Sequence, residues 1–322
     1  MTKQLFNFAY VPECPLADLA DGQALREFLT VYELDGVEIM NYDSSLELAD
    51  FAPSVVGVHL KYWPCWLDFY QGNRAAISRF FPGDRLQHYY GAADPAGWKE
   101  CIRENIRTAL AMKPEYLVWH VAESTPEEAF TFHFQHSNRE VLQATLELYQ
   151  EVFQEVPDEV TVLFENLWWP GLQLLDYEET AWFFSHLQGK NVGIMLDTGH
   201  LLNTSPLNGF NAVTTEEEAV AYLTTRVEAL GELKSLIKGM HLNLSLSESY
   251  RRQQPRVFPP DCSPQQMLQH VSSIDQHRAF RKAGLKALLE LVQPQYINHE
   301  LNFQSREELA RLLQQQLQAT LR

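Results

Sequence analysis

The most suggestive chemistry in this chain of 322 residues lies where an apolar run, residues 192–196, ends in Asp197 and, three positions later, His200. A short continuous apolar run is typical of a buried strand, so the polar pair is expected where that strand reaches the surface. Carboxylate and neutral imidazole are ligands that divalent transition metals bind, and the intervening Thr-Gly turn lets both side chains converge on one point. The alternative is structural: Asp197 would cap the following helix, and His200 would be a hydrogen-bonded core residue.

Five further apolar runs end in the same residue types. The residues at or just beyond those ends are His59, His120, Glu165, His241 and Glu300. One such residue could be buried and hydrogen bonded, but burying six ionisable groups without compensation would be costly, since such groups are rarely buried unpaired. Metal coordination accounts for all of them together. The pattern therefore predicts a metal centre.

Eight short apolar runs alternate with stretches that show helical spacing of apolar residues. The runs are residues 5–11, 36–40, 55–60, 116–121, 160–164, 192–196, 237–242 and 296–301. The helical stretches are residues 16–32, 98–112, 139–156, 177–187, 215–236, 279–292 and 306–321. This alternation predicts an α/β protein with a closed (β/α)8 TIM barrel, and because no linker-like composition divides residues 1–322, we expect a single domain. The ligand candidates would then share the carboxyl-terminal face of the barrel, where such barrels carry their active sites.

Three connections are longer than a barrel requires, and each follows the carboxyl end of a strand. They are residues 61–97 after strand 3, 201–213 after strand 6 and 243–274 after strand 7. Long loops on that face usually form lids or pocket walls. The many aromatic side chains of the first loop predict either a substrate pocket or a small satellite core. Trp168 and Trp169, which follow the strand 5 ligand candidate, could stack on a flat part of a substrate or pack against neighbouring loops.

Charge limits the class of partner. The chain has 25 Lys and Arg against 42 Asp and Glu, a net charge of −17. This charge disfavours binding to bulk nucleic acid, because phosphate neutralisation supplies most non-specific affinity, and a small-molecule substrate is expected instead. Residues 251–282 are locally basic, and Arg251 and Arg278 there could bind a phosphate of that substrate. A solvated loop surface is the alternative.

The sequence also predicts a location. No stretch approaches ~18 consecutive apolar residues, so no membrane span is expected. The first eleven residues are predicted to form a strand and lack the features of a signal peptide. The four cysteines stand far apart without a C-x-x-C pair, which fits a reducing compartment. We therefore expect a cytoplasmic protein.

The strand ends resemble those of the xylose isomerase-like barrel superfamily, which includes sugar isomerases, epimerases and apurinic endonucleases of the endonuclease IV type. The similar motifs are Phe164-Glu165-Asn166, Leu196-Asp197-Thr198-Gly199-His200, His241-Leu242-Asn243 and Glu300. The resemblance covers nearly the whole chain and implies the same barrel fold.

The resemblance implies one of two ligand sets. Isomerases and epimerases resemble this chain at one divalent site, for Mn or Mg, in which two glutamates also move protons. The residues of that site would be Glu165, Asp197, His241 and Glu300. The endonuclease branch adds five ligands and implies up to three zinc ions. The added ligands would be His59, His120, His200, Asp275 and His277.

The pair Asp275 and His277 discriminates between these two sets. It lies farther from His241 than is typical of the endonucleases, and Leu244 stands where those enzymes commonly carry Asp. A structural alternative is that Asp275 caps the following helix and that His277 is an exposed helix residue.

We expect a metal-dependent hydrolase with a multinuclear, zinc-type site that cleaves a phosphodiester in a small or nucleotide-containing substrate. Glu165 and Glu300 would be its catalytic carboxylates. The alternative is a single-metal sugar isomerase or epimerase in which the same two glutamates form the acid-base pair. A catalytically inert binding barrel is a third hypothesis, which the intact ligand set disfavours.

Overall fold

Eight parallel strands close into a barrel in sequence order, as the alternating pattern predicts. The computed structural model describes residues 2–9, 15–16, 19, 21–40, 52–187, 190–208, 212–282 and 284–321. The strands are β1 (Lys3–Phe8), β2 (Gly36–Met40), β3 (Val55–His59), β4 (Tyr116–His120), β5 (Thr161–Glu165), β6 (Val192–Asp197), β7 (Ile237–Leu242) and β8 (Tyr296–His299). Strand β1 closes the ring against β8, with Leu5 opposite Asn298. The (β/α)8 fold class is therefore confirmed.

Helices surround the barrel and connect its strands. They are α1 (Gly22–Val31), α2 (Leu67–Tyr70), α3 (Arg74–Ser78), α4 (Arg85–Tyr90), α5 (Pro95–Ala111), α6 (Pro126–Thr131), α7 (Asn138–Val152), α8 (Tyr177–Ser185), α9 (Thr198–Asn203), α10 (Glu216–Ala229), α11 (Glu248–Gln253), α12 (Pro264–Ile274), α13 (Leu285–Val292) and α14 (Arg306–Thr320). Several begin at a capping box; at α12, Ser263 and Gln266 accept each other's backbone N–H groups. Within the described ranges, no helix combines the length and apolarity needed to cross a bilayer.

Two helices differ from their predicted bounds for local reasons. The helix predicted over residues 16–32 begins at Gly22, because Asp21 caps it by accepting the N–H of Gln23. In place of one helix predicted over residues 215–236, the structure has α10 followed by the 3-10 helix Gly231–Leu236. The first residue of that 3-10 helix has a φ of 53°, which an α-helix cannot accommodate.

A third helix, predicted over residues 279–292, begins only at Leu285. The preceding backbone is held by long-range contacts instead. The N–H of Phe280 donates to Gln316 on α14 at 2.8 Å, and the N–H of Arg281 donates to Glu216 on α10 at 2.7 Å. Tertiary hydrogen bonds therefore override the helical spacing of apolar residues in this segment.

Side chains alternate between the inner and outer faces of the barrel wall. Outward side chains pack beneath the helices in the main core. Inward ones form a smaller buried cluster of Leu5, Val56, Tyr116, Val118, Leu163, Met195 and Tyr296. A Cβ at Gly57 would lie 2.1 Å from the Tyr116 ring, so the absence of a side chain there makes room for the tyrosine. Above this apolar cluster, inward positions at the strand ends are polar and include the ligand candidates.

The enlarged loops after β3, β6 and β7 contain short helices: α2 to α4 in the first, α9 in the second, and α11 and α12 in the third. In the first loop, Trp66, Phe69 and Tyr90 are buried and belong to the main core. This burial favours packing over a substrate pocket for the aromatic residues. Helix α12 packs against α6, where the ring of His270 stacks on Phe130 with 3.9 Å between centroids.

Glu123, just beyond β4, is a buried carboxyl group that is not among the ligand candidates. It is 1% exposed. Burial, reinforced by the carboxylates of Glu128 and Asp68, raises its pKa to about 9 from an ordinary 4.5. The folded protein therefore keeps a proton on Glu123 that the unfolded chain loses above pH 4.5. Stability consequently falls as the pH rises from about 4.5 to 9.

Replacing Glu123 with Gln is expected to remove this pH dependence, because an amide retains an acceptor oxygen but does not ionise. The free energy of unfolding should rise by about 1–3 kcal/mol at about pH 8 and stay nearly unchanged at about pH 4.5. Urea denaturation of both proteins across this pH range measures the effect. Parallel pH profiles for the two proteins would contradict it.

Candidate metal centre

Nine side chains at the carboxyl-terminal end of the barrel form three groups, and within each group the ligand atoms lie within 4.8 Å of one another. The first group is His59, His120 and Glu165. The central group is Glu165, Asp197, His241 and Glu300. The third group is His200, Asp275 and His277. The structure thus brings together all the ligand candidates that the sequence suggests.

Glu165 joins the first group to the central group. Its Oε2 lies 3.1 Å from Nε2 of His59 and 2.9 Å from Nε2 of His120. Its Oε1 lies 3.2 Å from Nδ1 of both His200 and His241. Burial alone would raise the pKa of Glu165, but His120 and His241 outweigh burial and hold that pKa well below its usual range. An ionised carboxylate with one oxygen facing each group could serve both groups as a shared ligand.

The central group is the most deeply buried. Asp197 and His241 are fully buried, and Nδ1 of His241 lies 3.4 Å from Oε2 of Glu300 and 3.9 Å from Oδ2 of Asp197. Asp197 also caps α9, because its Oδ1 accepts the backbone N–H of His200 at 2.6 Å. The helix-cap interpretation of Asp197 is therefore correct, but the cap uses only one carboxylate oxygen. The other oxygen faces His241 and accepts a hydrogen bond from the Asn243 amide at 2.8 Å.

The third group converges on one oxygen of Asp275. Nε2 of His200 lies 3.2 Å and Nε2 of His277 lies 2.8 Å from Oδ2 of Asp275. Asp275 ends α12, and Gly284 rather than Asp275 precedes α13. His277 lies outside the helices, with a φ of 48° and a side chain that is 22% exposed. The interpretation of this pair as a helix cap and an exposed helix residue is therefore wrong.

The long separation between His241 and Asp275 is filled by α11 and α12. After them the chain returns to the end of β7. An antiparallel bridge joins Leu244 to Arg278, and the N–H of Gln276 donates to Oγ of Ser245 at 2.9 Å. The end of this loop is thus hydrogen bonded to its beginning. This pairing places Asp275 and His277 near the end of β7 despite their long separation from His241 in the sequence.

Hydrogen bonds to the ring nitrogens that point away from the ligand groups orient two of the histidine rings. Nδ1–H of His59 can donate to the Leu60 carbonyl at 3.0 Å, which leaves Nε2 for the first group. Nε2–H of His241 can donate to Oε2 of Glu38 at 3.1 Å, the same oxygen that accepts the Tyr116 hydroxyl at 2.7 Å. This contact leaves Nδ1 of His241 for the central group. A carboxylate behind a histidine ligand fixes its ring and raises its basicity.

Of the positioning residues, Tyr116 is not singled out by the sequence, and Asn243 appears only as a member of the motif His241-Leu242-Asn243 with no role of its own. The only signal for Tyr116 is the alternation that turns it inward from the start of β4. Asn243 lies within the motif that follows β7, where its amide holds Asp197. The roles of both residues depend on contacts with residues that are remote in the chain.

The donor set fits divalent transition metal ions, since it consists of imidazole nitrogens and carboxylate oxygens. Among the described residues, several buried atoms of the ligand candidates have no hydrogen-bond partner. They are Nδ1 of His120, Nδ1 of His241, Oδ1 of Asp275 and Oε2 of Glu300. Such atoms are rare in folded proteins. Burial disfavours the imidazolium of His277, but Asp275 and Glu300 outweigh burial and raise its pKa to about 10, so cations must displace a proton there.

The tryptophans suggested as substrate contacts are largely buried. Trp168 is 6% and Trp169 is 5% exposed, and both pack in a cluster with Ile274 of α12. The Trp168 ring lies 5.3 Å from that of His200, between centroids. This burial favours packing, with Trp168 supporting one side of the third group.

The two arginines suggested as phosphate ligands lie in different environments. Arg251 is buried, and its guanidinium donates to the carbonyls of Asn203 and Ser205 at 2.9 and 3.0 Å, so it joins the loops after β6 and β7. The structure does not bring it into the three groups. Arg278 is exposed and adjoins His277 in a surface cleft.

Known proteins resemble this chain in fold and only weakly in sequence. No protein-family model matches it, and no curated protein does. Endonuclease IV from Thermus thermophilus superposes with a TM-score of 0.51 at 15% identity over 98% of each chain. A D-tagatose 3-epimerase-like protein gives 0.51 at 15% identity over 99% of this chain and 98% of its own. D-psicose 3-epimerase, crystallised in the presence of D-fructose, superposes with a TM-score of 0.53 at 11% identity over 99% of this chain and 97% of its own. The chain therefore has the fold of the xylose isomerase-like TIM barrels.

Proposed function

We propose that this protein is a metal-dependent hydrolase whose multinuclear, zinc-type centre cleaves a phosphodiester in a small or nucleotide-containing substrate. One observation carries the proposal: three ligand groups lie side by side, and two of them share Glu165. A one-metal reaction needs only the central group. It would leave five buried or half-buried residues of the other two groups, brought in from separate segments of the sequence, without a role.

The chemistry follows from the donor set. When bound, clustered divalent cations supply a water-derived nucleophile near neutral pH and stabilise charge on the attacking and leaving oxygens of a phosphodiester. The part of Glu165 is to fix the spacing of the first and central groups, since each of its oxygens faces a different pair of histidines. Rigid spacing of this kind costs no reorganisation during the reaction.

Glu300 is the residue that we assign to proton transfer. In hydrolysis the oxygen of water bonds to phosphorus while the bond from phosphorus to one ester oxygen breaks. One water proton passes to a base, and the departing ester oxygen takes up a proton from that base or from solvent. Oε2 of Glu300 is buried without a hydrogen-bond partner among the described residues. Burial would raise the pKa of Glu300, but His241 and His277 outweigh burial and lower it, so the carboxylate is ionised and can accept a proton.

The substrate is proposed to be small and not bulk nucleic acid. A net charge of −17 repels a polyanion unless a basic surface compensates. The site itself is recessed, since every ligand candidate except His277 has a side chain that is 14% exposed or less. A phosphodiester with compact substituents suits such a site.

The second candidate is a single-metal sugar isomerase or epimerase with Mn or Mg. The observation that favours it is that the central group is complete by itself and is the most buried of the three. In that reaction Glu165 and Glu300 would form the acid-base pair that moves protons next to a carbonyl. Proteins with epimerase names are also among those that share the fold.

Metal content and diester hydrolysis together test the proposal. Protein purified without chelators or a metal column is expected to hold about three zinc ions per chain, one for each ligand group. It should hydrolyse bis(p-nitrophenyl) phosphate, and EDTA should abolish this activity until zinc is added back. One Mn or Mg per chain, together with ketose epimerisation and no diester hydrolysis, would replace the hydrolase by the second candidate.

A further inference from the structure

A cleft of about 270 Å³ opens beside the third group. Its wall comes from the end of the β7 loop, the segment after β8 and the first half of α14. The polar residues of that wall that matter here are Gln276, His277, Arg278, Arg281, Asn302 and Arg311. The metal centre described above uses only His277 of these.

The wall of the cleft is rich in positive charge, although the protein as a whole is acidic. Among the described residues, no acidic side chain pairs with the guanidinium of Arg278 or of Arg281. Arg311 pairs with Glu308, at 3.3 Å, and that pair is exposed enough for solvent to weaken it. Three guanidiniums against one carboxylate leave the wall basic, whereas the whole chain carries a net charge of −17. A concave basic wall concentrates anions locally.

The cleft and the metal centre share His277. Its Nε2 contacts Asp275 in the third group, and its side chain is the most exposed of the nine ligand candidates, at 22%. Arg278 is the next residue in the chain. His277 therefore belongs both to the third ligand group and to the wall of the cleft.

Backbone hydrogen bonds hold the cleft in register with the metal centre. The carbonyl of His277 accepts the N–H of Asn302 at 2.8 Å, which joins the β7 loop to the segment after β8. The N–H and the carbonyl of Arg278 both pair with Leu244, at 3.0 and 2.7 Å. The position of the Arg278 backbone relative to the third group is thus fixed by pairing with the chain next to β7 and β8.

We infer that this cleft binds a second anionic group of the substrate, a phosphate monoester separate from the diester at the metal centre. Guanidinium groups match phosphate oxygens in paired hydrogen bonds. Phe303 supplies an apolar patch in the same wall, suited to the carbon framework that links the two phosphates. The inference rests on the proposed hydrolase function and narrows its substrate class to a phosphodiester that also carries a phosphate monoester.

Two matched substrates test this inference on the zinc-loaded protein. One is the 5′-(p-nitrophenyl phosphate) of thymidine, and the other is the same diester with a 3′-phosphate. The 3′-phosphate is expected to lower KM about tenfold, as one additional charge-assisted phosphate contact would. In the Arg278→Gln/Arg281→Gln double variant, the KM ratio of the two substrates should fall to near one. Lys190→Gln, which removes an exposed charge just before β6 at the opposite end of the barrel, should keep the tenfold ratio.

A binding measurement separates failure of the cleft from failure of the hydrolase proposal. Calorimetry with thymidine 3′,5′-bisphosphate and thymidine 5′-monophosphate needs no turnover. Tighter binding of the bisphosphate to the unaltered protein, but not to the double variant, supports the cleft even if neither diester is hydrolysed. Hydrolysis of both diesters with equal KM, or a KM ratio that persists in the double variant, would overturn the inference that the cleft binds a phosphate monoester. Either result would leave the hydrolase proposal intact.

Discussion

Replacing Glu165 with Gln is expected to lower hydrolysis of bis(p-nitrophenyl) phosphate by about 10³-fold or more, the scale of loss seen when a centre of charge stabilisation is removed. Metal content should fall at the same time. Gln keeps the shape of the side chain but offers one neutral oxygen and one N–H group where two ionised oxygens face the four histidines. The ion of the third group should remain, because that group does not include Glu165.

Glu123→Gln is the matched control for this variant. Glu123 is equally buried and lies just beyond the neighbouring strand, but it belongs to none of the ligand groups. The control should keep its metal content and its activity, so that loss in Glu165→Gln cannot be ascribed to removal of any buried carboxyl. Elemental analysis and initial rates, measured on both variants after the same zinc loading, make the comparison. Retention of three ions and of activity within tenfold in Glu165→Gln would exclude a bridging role.

The meeting of the strand-end ligand candidates could be predicted because a closed barrel places the ends of successive strands around one ring. Strand order follows sequence order, so residues that end successive apolar runs must meet at one face. Asp197 and His200 are a weak pair when considered alone. They become informative only when His120, Glu165 and His241 occupy the equivalent positions on neighbouring strands.

What the sequence could not predict depends on contacts between distant segments. The pairing of Glu38 with His241 and Tyr116 requires three strands to be in register, and no spacing along the chain encodes it. The role of Arg251 is equally hidden. Its charge suggests a phosphate ligand, but its burial among the carbonyls of the β6 loop makes it a link between two loops.

The apolar spacing of residues 279–292 likewise does not predict where the helix begins, because backbone groups before Leu285 bind side chains of α10 and α14. His277 and Arg278 precede this segment and lie outside any helix. Their backbone is held by Leu244 and Asn302, with the His277 imidazole beside Asp275 and Arg278 in the cleft wall.

Histidines outside the central group distinguish the trinuclear hydrolase from the single-metal isomerase, because only the hydrolase uses them as ligands. His120→Ala and His277→Ala each remove a ligand from only one group, the first and the third respectively. In a trinuclear hydrolase each variant should lose one ion and reduce diester hydrolysis by about 10²-fold or more, while the central ion remains. His186→Ala, which removes an exposed histidine at the carboxyl-terminal cap of α8, is the control and should change neither quantity.

The single-metal isomerase makes the opposite prediction for the same variants. Its one ion is held by Glu165, Asp197, His241 and Glu300, so neither His120→Ala nor His277→Ala should change metal content, and both should keep most ketose interconversion. Measuring metal content and both activities on each variant therefore separates the two reactions without knowledge of the natural substrate. Unchanged metal content in both variants would rule out the trinuclear centre, because each outer group would then have lost one of its three ligands without losing an ion.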